Sequence, residues 1–261
     1  MTATLPARRE VSAGRVLART CAAEWTRLRT VRASWWFAAA AAAVMVGIGT
    51  IAGLEAGPAP DGPASAWMAS TVTAMPAQFA LLALALTAVT SDYATGGIVP
   101  TLQWTPRRGV LGLARTVVAV TAATALGVLL ALAPALAAYV AARPALHLPW
   151  DDGLDALGTV ALVVAGGTTL AVGLGFLLRA TAGALVVVFL LMLVLPFLLP
   201  VFGYPWLSTV AEVLPGSAAA FLLIGEVPGM TTASSVTVLL SWAGGALLLG
   251  LLRLARDDAN R

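Results

Sequence analysis

Residues 154–178 read LDALGTVALVVAGGTTLAVGLGFLL, 25 positions whose only charge is Asp155 at one end. A strand buried in a globular core takes 4–8 apolar residues, whereas a helix crossing the hydrocarbon core of a bilayer takes about 20. This stretch therefore predicts a transmembrane helix. Five further runs meet the same criterion: Ala33–Leu54, Ala66–Thr90, Val110–Val140, Ala182–Phe202 and Ser234–Leu252. Composition agrees, because 60% of the 261 residues are hydrophobic and 10% are charged. A soluble domain carries about 25% charged residues, so this chain lacks the groups to cover a water-facing surface. Continuous apolar runs favour helices over the alternating strands of a barrel. The expected fold is an all-α membrane protein with six transmembrane helices.

The basic residues set the orientation. All 15 are Arg, and with a cytoplasmic N-terminus 14 of them fall on the inner side. Arg8, Arg9, Arg15, Arg19, Arg27, Arg29 and Arg32 precede the first run; Arg107, Arg108 and Arg115 follow the second; Arg179 follows the fourth; Arg253, Arg256 and Arg261 follow the sixth. Arg143 alone falls outside, with Glu55, Asp61, Asp151, Asp152, Asp155, Glu212 and Glu226. Both termini are expected in the cytoplasm and the chain in the cell membrane, with no cleaved signal. Trp206–Ile224 is apolar enough to suggest a seventh crossing, but Glu212, Pro215 and Gly216 interrupt it. A break exposed to lipid leaves backbone groups unpaired, so this segment is expected as two short re-entrant helices on the outer face. The chain divides into a basic arm, residues 1–32, and one membrane domain, residues 33–261.

Several function classes drop out. The dispersed Arg residues form no groove-sized basic face, which argues against nucleic-acid binding. Without Lys there is no phosphate-binding P-loop of the GxxxxGK[ST] type. Cys21 is the single cysteine and His147 the single histidine, so neither a disulfide framework nor a multi-histidine metal site is possible. No catalytic constellation is evident, and the membrane part reads as free of buried charge.

Two segments read as functional. In the arm, Leu17, Cys21, Trp25, Leu28 and Val31 recur at helical spacing, with Arg15, Arg19 and Arg29 away from that face. This predicts an amphipathic helix along the inner membrane surface. Glu24 falls near the middle of the apolar stripe, with Arg27 three residues on. A carboxylate there is either solvated or held against a neighbouring loop or subunit, and the pattern leaves both open. The second segment is the loop after the second run. Gly96 and Gly97 end the helix, Thr105 fits an N-cap, and Pro106 fits the first helical position. Between them Leu102 and Trp104 face the cytosol, rimmed by Asp92, Arg107 and Arg108, as a docking surface would.

These residues resemble a family. Glu24-Trp25-Thr26-Arg27-Leu28-Arg29 through Trp35-Trp36 is similar to the approach to the first span of type-2 ATP-binding-cassette exporter permeases, especially those of high-GC actinobacteria. Asp92-Tyr93 through Gly96 to Thr105-Pro106-Arg107-Arg108-Gly109 resembles the same family's loop between spans two and three, with Asp92 where Glu is usual. Leu214-Pro215-Gly216-Ser217-Ala218 resembles its outer re-entrant segment. The resemblance implies a transport subunit, not an enzyme, that pairs with a separate cytoplasmic ATP-binding subunit and with a second permease copy, identical or related. ATP and Mg would be bound by that partner and no cofactor by this chain. Glu24, Arg27, Arg29, Asp92, Tyr93, Gly96, Leu102, Thr105, Pro106, Arg107 and Arg108 would form the ATPase-coupling surface, and the turn at Arg179 a lesser contact.

The absence of buried charge suggests an amphiphilic or hydrophobic cargo of drug, lipid or peptide class. Thr71, Gln78 and Thr87 in the second run and Pro196 in the fifth are candidates for its path, although helix–helix hydrogen bonds explain the polar ones equally well. Pro196 and Pro200 should kink the fifth helix. Asp151, Asp152 and Asp155 read as a solvated acidic loop before they read as cation ligands. The rival functions are a secondary transporter, which would need ionisable residues at the midplane, and a membrane scaffold or sensor, which would need no ATPase.

Overall fold

A computed structural model of the chain describes residues 12–55, 64–97, 108–143, 145–225 and 227–256. The architecture is all-helical. Helix α1 spans Ala13–Thr30, and six helices are long and apolar enough to cross a membrane: α2 (Arg32–Glu55), α3 (Met68–Thr95), α4 (Arg108–Ala141), α5 (Trp150–Leu178), α6 (Thr181–Val201) and α9 (Thr232–Arg256). Between α6 and α9 lie two short helices, α7 (Pro205–Glu212) and α8 (Pro215–Ile224), bent by 75° relative to each other. The six long helices coincide with the six apolar runs to within a few residues. That architecture is consistent with a multi-pass membrane protein.

Helices α3 and α5 are central. Their apolar windows are 67% and 72% buried, against 22% to 33% for the other four long helices, whose outer faces are apolar and uncovered. Lipid is as apolar as leucine, so these helices gain by close van der Waals contact rather than by escape from water. Small residues make the approach possible. Gly173 of α5 faces the α9 backbone at Ala246–Leu247, and Gly250 of α9 packs back on Phe176 and Gly173. Gly166 lies against Leu239, and Gly175 against Leu86 of α3. Of the glycines in 154–178, Gly166, Gly167, Gly173 and Gly175 are packing positions, whereas Gly158 has no neighbour within 4 Å.

Hydrogen bonds lock neighbouring helices where the alternative is an unpaired group in hydrocarbon. Ser70 Oγ of α3 donates to the Ala131 carbonyl of α4 at 2.5 Å, and the Thr90 and Thr181 hydroxyls join α3 to α6 at 2.7 Å. At the opposite end Trp67 Nε1 donates to the Pro149 carbonyl at 2.8 Å. Two strand fragments not anticipated by the sequence, β1 (Ala64–Ser65) and β2 (Leu146–His147), pair in parallel at this end. His147 Nδ1 lies 2.9 Å from the Ala64 carbonyl, so the exposed histidine ties the α2–α3 and α4–α5 connections together.

Helix α6 is not a simple proline kink. Residues Leu190–Val194 form a π turn, with Leu195 between it and Pro196. Pro196 has no N–H to offer the Met192 carbonyl one turn back, and it is at Met192 that α8 docks. Gly216 sits so close to the Met192 carbonyl that a side chain has no room. The π turn and the proline therefore create the surface onto which α8 packs.

Candidate functional site at the arginine-rich end

The ends of α1, α3 and α4 meet at one end of the bundle. Helix α1 stops at Thr30, Val31 is extended (φ −79°, ψ 122°), and α2 starts at Arg32. That single-residue break folds α1 back against α4. Helix α3 arrives and ends on Gly96, which takes a left-handed conformation (φ 73°) that glycine adopts without a Cβ clash. Helix α4 departs from Arg108, so Arg115 falls two turns into it.

Four charged side chains close a ring there. Arg115 Nε donates to Glu24 Oε1 at 2.9 Å, and Arg115 Nη2 also donates to Asp92 Oδ2. Arg27 Nη1 donates to Asp92 Oδ2 at 2.8 Å and lies 3.5 Å from Glu24 Oε2. Arg27 Nη2 adds bonds to Ser91 Oγ, at 2.9 Å, and to the Ala88 carbonyl. The Arg115 side chain is 1% exposed, and it is the one charged side chain fully buried among the described residues. Burying an isolated guanidinium costs several kcal/mol. Here two carboxylates from two other helices neutralise it, and Arg27 neutralises the second of those charges. The ring is balanced, and it joins α1, α3 and α4 by charge-assisted bonds.

This geometry corrects two expectations. The membrane part does carry a buried charge, Arg115, toward one end of α4 rather than at its centre. The inward face of α1 is also rotated from the apolar stripe: Leu17, Thr20, Cys21, Glu24, Arg27 and Leu28 are half-buried, whereas Trp25 and Val31 are exposed. The stripe has two uses, one flank facing protein and the other facing away. Of the two readings of Glu24, the structure has it held against neighbouring helices, with the local Arg27 as the weaker partner. Arg115 does not stand out in the sequence, because its position close to Arg107 and Arg108 reads as part of the inner-side bias. The available signal was an arginine inside an apolar run, which demands a carboxylate partner.

A second cluster flanks the ring. The Arg179 guanidinium lies over the Tyr93 ring, 5.6 Å from its centroid, and the Arg179 backbone (φ 57°) caps α5 through an N–H bond to the Gly175 carbonyl at 2.9 Å. Arg253 of α9 donates to the Leu177 carbonyl on the same turn. Arg29 is exposed and stands apart from the ring, although its carbonyl accepts a 2.9 Å bond from Trp35 Nε1. Arg108 opens α4. Leu102, Trp104, Thr105, Pro106 and Arg107 lie outside the described residues.

A cavity of about 290 Å³ adjoins the ring. Glu24, Arg27 and Arg115 form its charged wall, and Leu28, Val118 and Ala119 contribute to the apolar side. Thr87 lines this cavity, whereas the other path candidates are elsewhere. Gln78 is buried mid-helix, with Nε2 on the Met75 carbonyl at 3.0 Å and Oε1 unpartnered. Thr71 bonds Met68 of its own helix, and Pro196 is buried beneath α8. Thr71 and Gln78 share a helix face that Thr87 does not, so the four do not outline one route.

At the far end Glu212 closes α7, Pro215 and Gly216 start α8, and Trp242 Nε1 of α9 binds the Val213 carbonyl between them at 2.8 Å. Asp151 and Asp152 are exposed in the first turn of α5, a favourable place for carboxylates. Neither a family model nor a curated relative matches the chain.

Proposed function

We propose that the chain is the membrane-spanning subunit of a type-2 ATP-binding-cassette exporter, moving an amphiphilic or hydrophobic cargo while a separate cytoplasmic subunit hydrolyses ATP. The observation that carries this reading is the balanced ring Glu24–Arg115–Asp92–Arg27. It joins the arm helix to the two helices that flank the loop 98–107, the segment whose sequence most resembles an ATPase-docking loop. A push on that loop reaches α3 and α4 directly and α1 through the ring. Buried charge-assisted pairs suit such a joint, because they hold one arrangement firmly and re-form in another only when partners exchange together.

In this reading the arginine-rich end faces the cytoplasm, α1 lies along the inner membrane surface, and α7–α8 dips in from the outer face without crossing. A second copy completes the pathway. Among the described residues, the fully buried polar groups of the long helices other than Arg115 are uncharged, Gln78, Thr168 and Ser235 among them, which favours an apolar or amphiphilic cargo over a small ion.

The test is co-reconstitution of the chain with the ATP-binding subunit that co-purifies with it, measuring ATP turnover and cargo transport into inside-out vesicles. Transport should need both proteins, and Asp92→Ala should leave basal ATP hydrolysis while uncoupling it from transport. Solute movement by this chain alone would overturn the proposal.

A further inference from the structure

The ring has a consequence for the opposite face of α1. Glu24 is the one carboxylate on this helix, and it is turned inward, 12% exposed, between Arg115 and Arg27. The outward face is left with cations alone. Arg15, Arg19, Arg29 and Arg32 are exposed, and no described side chain pairs with any of them. At about 100° per residue, Arg15, Arg19 and Arg29 fall within roughly 80° of arc on the side away from α4. Trp25 borders that arc, 44% exposed, and at the start of α2 Trp35 and Trp36 stand exposed beside Arg32. Bare guanidinium groups interleaved with exposed indoles match the headgroup layer of an anionic bilayer: phosphates for the Arg, and the boundary between headgroup and acyl chain for the Trp.

We infer that the outward face of α1, with the first turn of α2, is a binding site for anionic phospholipid, Arg15, Arg19, Arg29 and Arg32 holding headgroup phosphates while Trp25, Trp35 and Trp36 sit among the chains. This rests on the reading of α1 as an interface helix and adds lipid selectivity to it. Each basic group near an anionic surface contributes about a fivefold factor in association, so four together select strongly for anionic over zwitterionic lipid. The charged inner face and the cationic outer face then divide the labour of one helix, coupling on one side and anchoring on the other.

The full chain is reconstituted in phosphatidylcholine nanodiscs doped with equal mole fractions of brominated phosphatidylglycerol or brominated phosphatidylcholine, and Trp quenching is compared. Subtracting the signal of W25F/W35F/W36F isolates the three indoles. The expected result is at least twofold greater quenching by brominated phosphatidylglycerol, lost in R15Q/R19Q/R29Q/R32Q, kept when the same four become Lys, and weakened by salt. Equal quenching by the two lipids overturns the inference and leaves the interface helix standing. Quenching of these indoles by neither lipid overturns both.

Discussion

The two ends of the bundle are held by different forces. At the arginine-rich end, three helices meet through four ionised side chains and a 290 Å³ cavity. At the other end, α8 is seated by shape: Gly216 on the Met192 carbonyl, Pro196 against it, and an indole bond from Trp242 to Val213. Steric fit is specific to one arrangement and fails steeply when an atom is added. An ion-paired joint is specific to charge balance, tolerates displacement so long as partners move together, and fails when a single charge is removed. In the proposed transport cycle, the steric end would stay fixed and the ion-paired end would be the one to change state.

The sharpest way to break this contrast is Arg115→Ala, which strands Glu24 and Asp92 with Arg27 as their remaining ring cation. A loss of about 3–5 kcal/mol is expected, read as a large fall in the thermal midpoint of the purified chain in detergent. Replacing the ring's charges together, Arg115→Met with Glu24→Gln and Asp92→Asn, should recover part of that stability. If the triple variant is no better than Arg115→Ala, charge balance is not what the ring contributes. Next comes Gly216→Val at the steric end, expected to cost about 1–3 kcal/mol by overpacking. No compensating charge change will rescue it, and protease accessibility should rise around 203–230. Trp242→Phe, which keeps the ring but drops the N–H, should cost about 0.5–1.5 kcal/mol and leave a double-mutant cycle with Arg115 additive, because the two ends share no partners. The smallest effect on stability in detergent belongs to Arg29→Gln, within about 0.5 kcal/mol for an exposed side chain with no described side-chain partner in the protein; the same denaturation assay checks it.

The legibility of this molecule in its sequence follows the range of the forces involved. The six long helices were readable because each is decided by its own hydropathy over about 20 consecutive residues. The break between α7 and α8 was readable because Pro215 and Gly216 act locally. The close approaches at Gly166, Gly173 and Gly175 depend on which helix lies opposite, and no local pattern names that helix. Of the candidate site, Glu24, Arg27 and Asp92 stand out in the sequence and do meet, but Arg115, which brings Glu24 and Asp92 together, reads in the sequence as one more inner-side arginine. The two contacts on Arg115 span 91 and 23 positions of chain, and no local pattern encodes such a pairing. The same limit explains the α1 stripe, whose period is correct and whose facing was set by where α4 lies.

What the amino-acid order determined alone is therefore the count, length and chemistry of the helices, since water and lipid act on every segment independently. What the tertiary structure decided is which polar groups escape the cost of burial by finding one another: Arg115 with Glu24 and Asp92, Ser70 with Ala131, Trp242 with Val213. Those pairings depend on helix packing, where a few small residues set the distances and a buried charge has one place left to go.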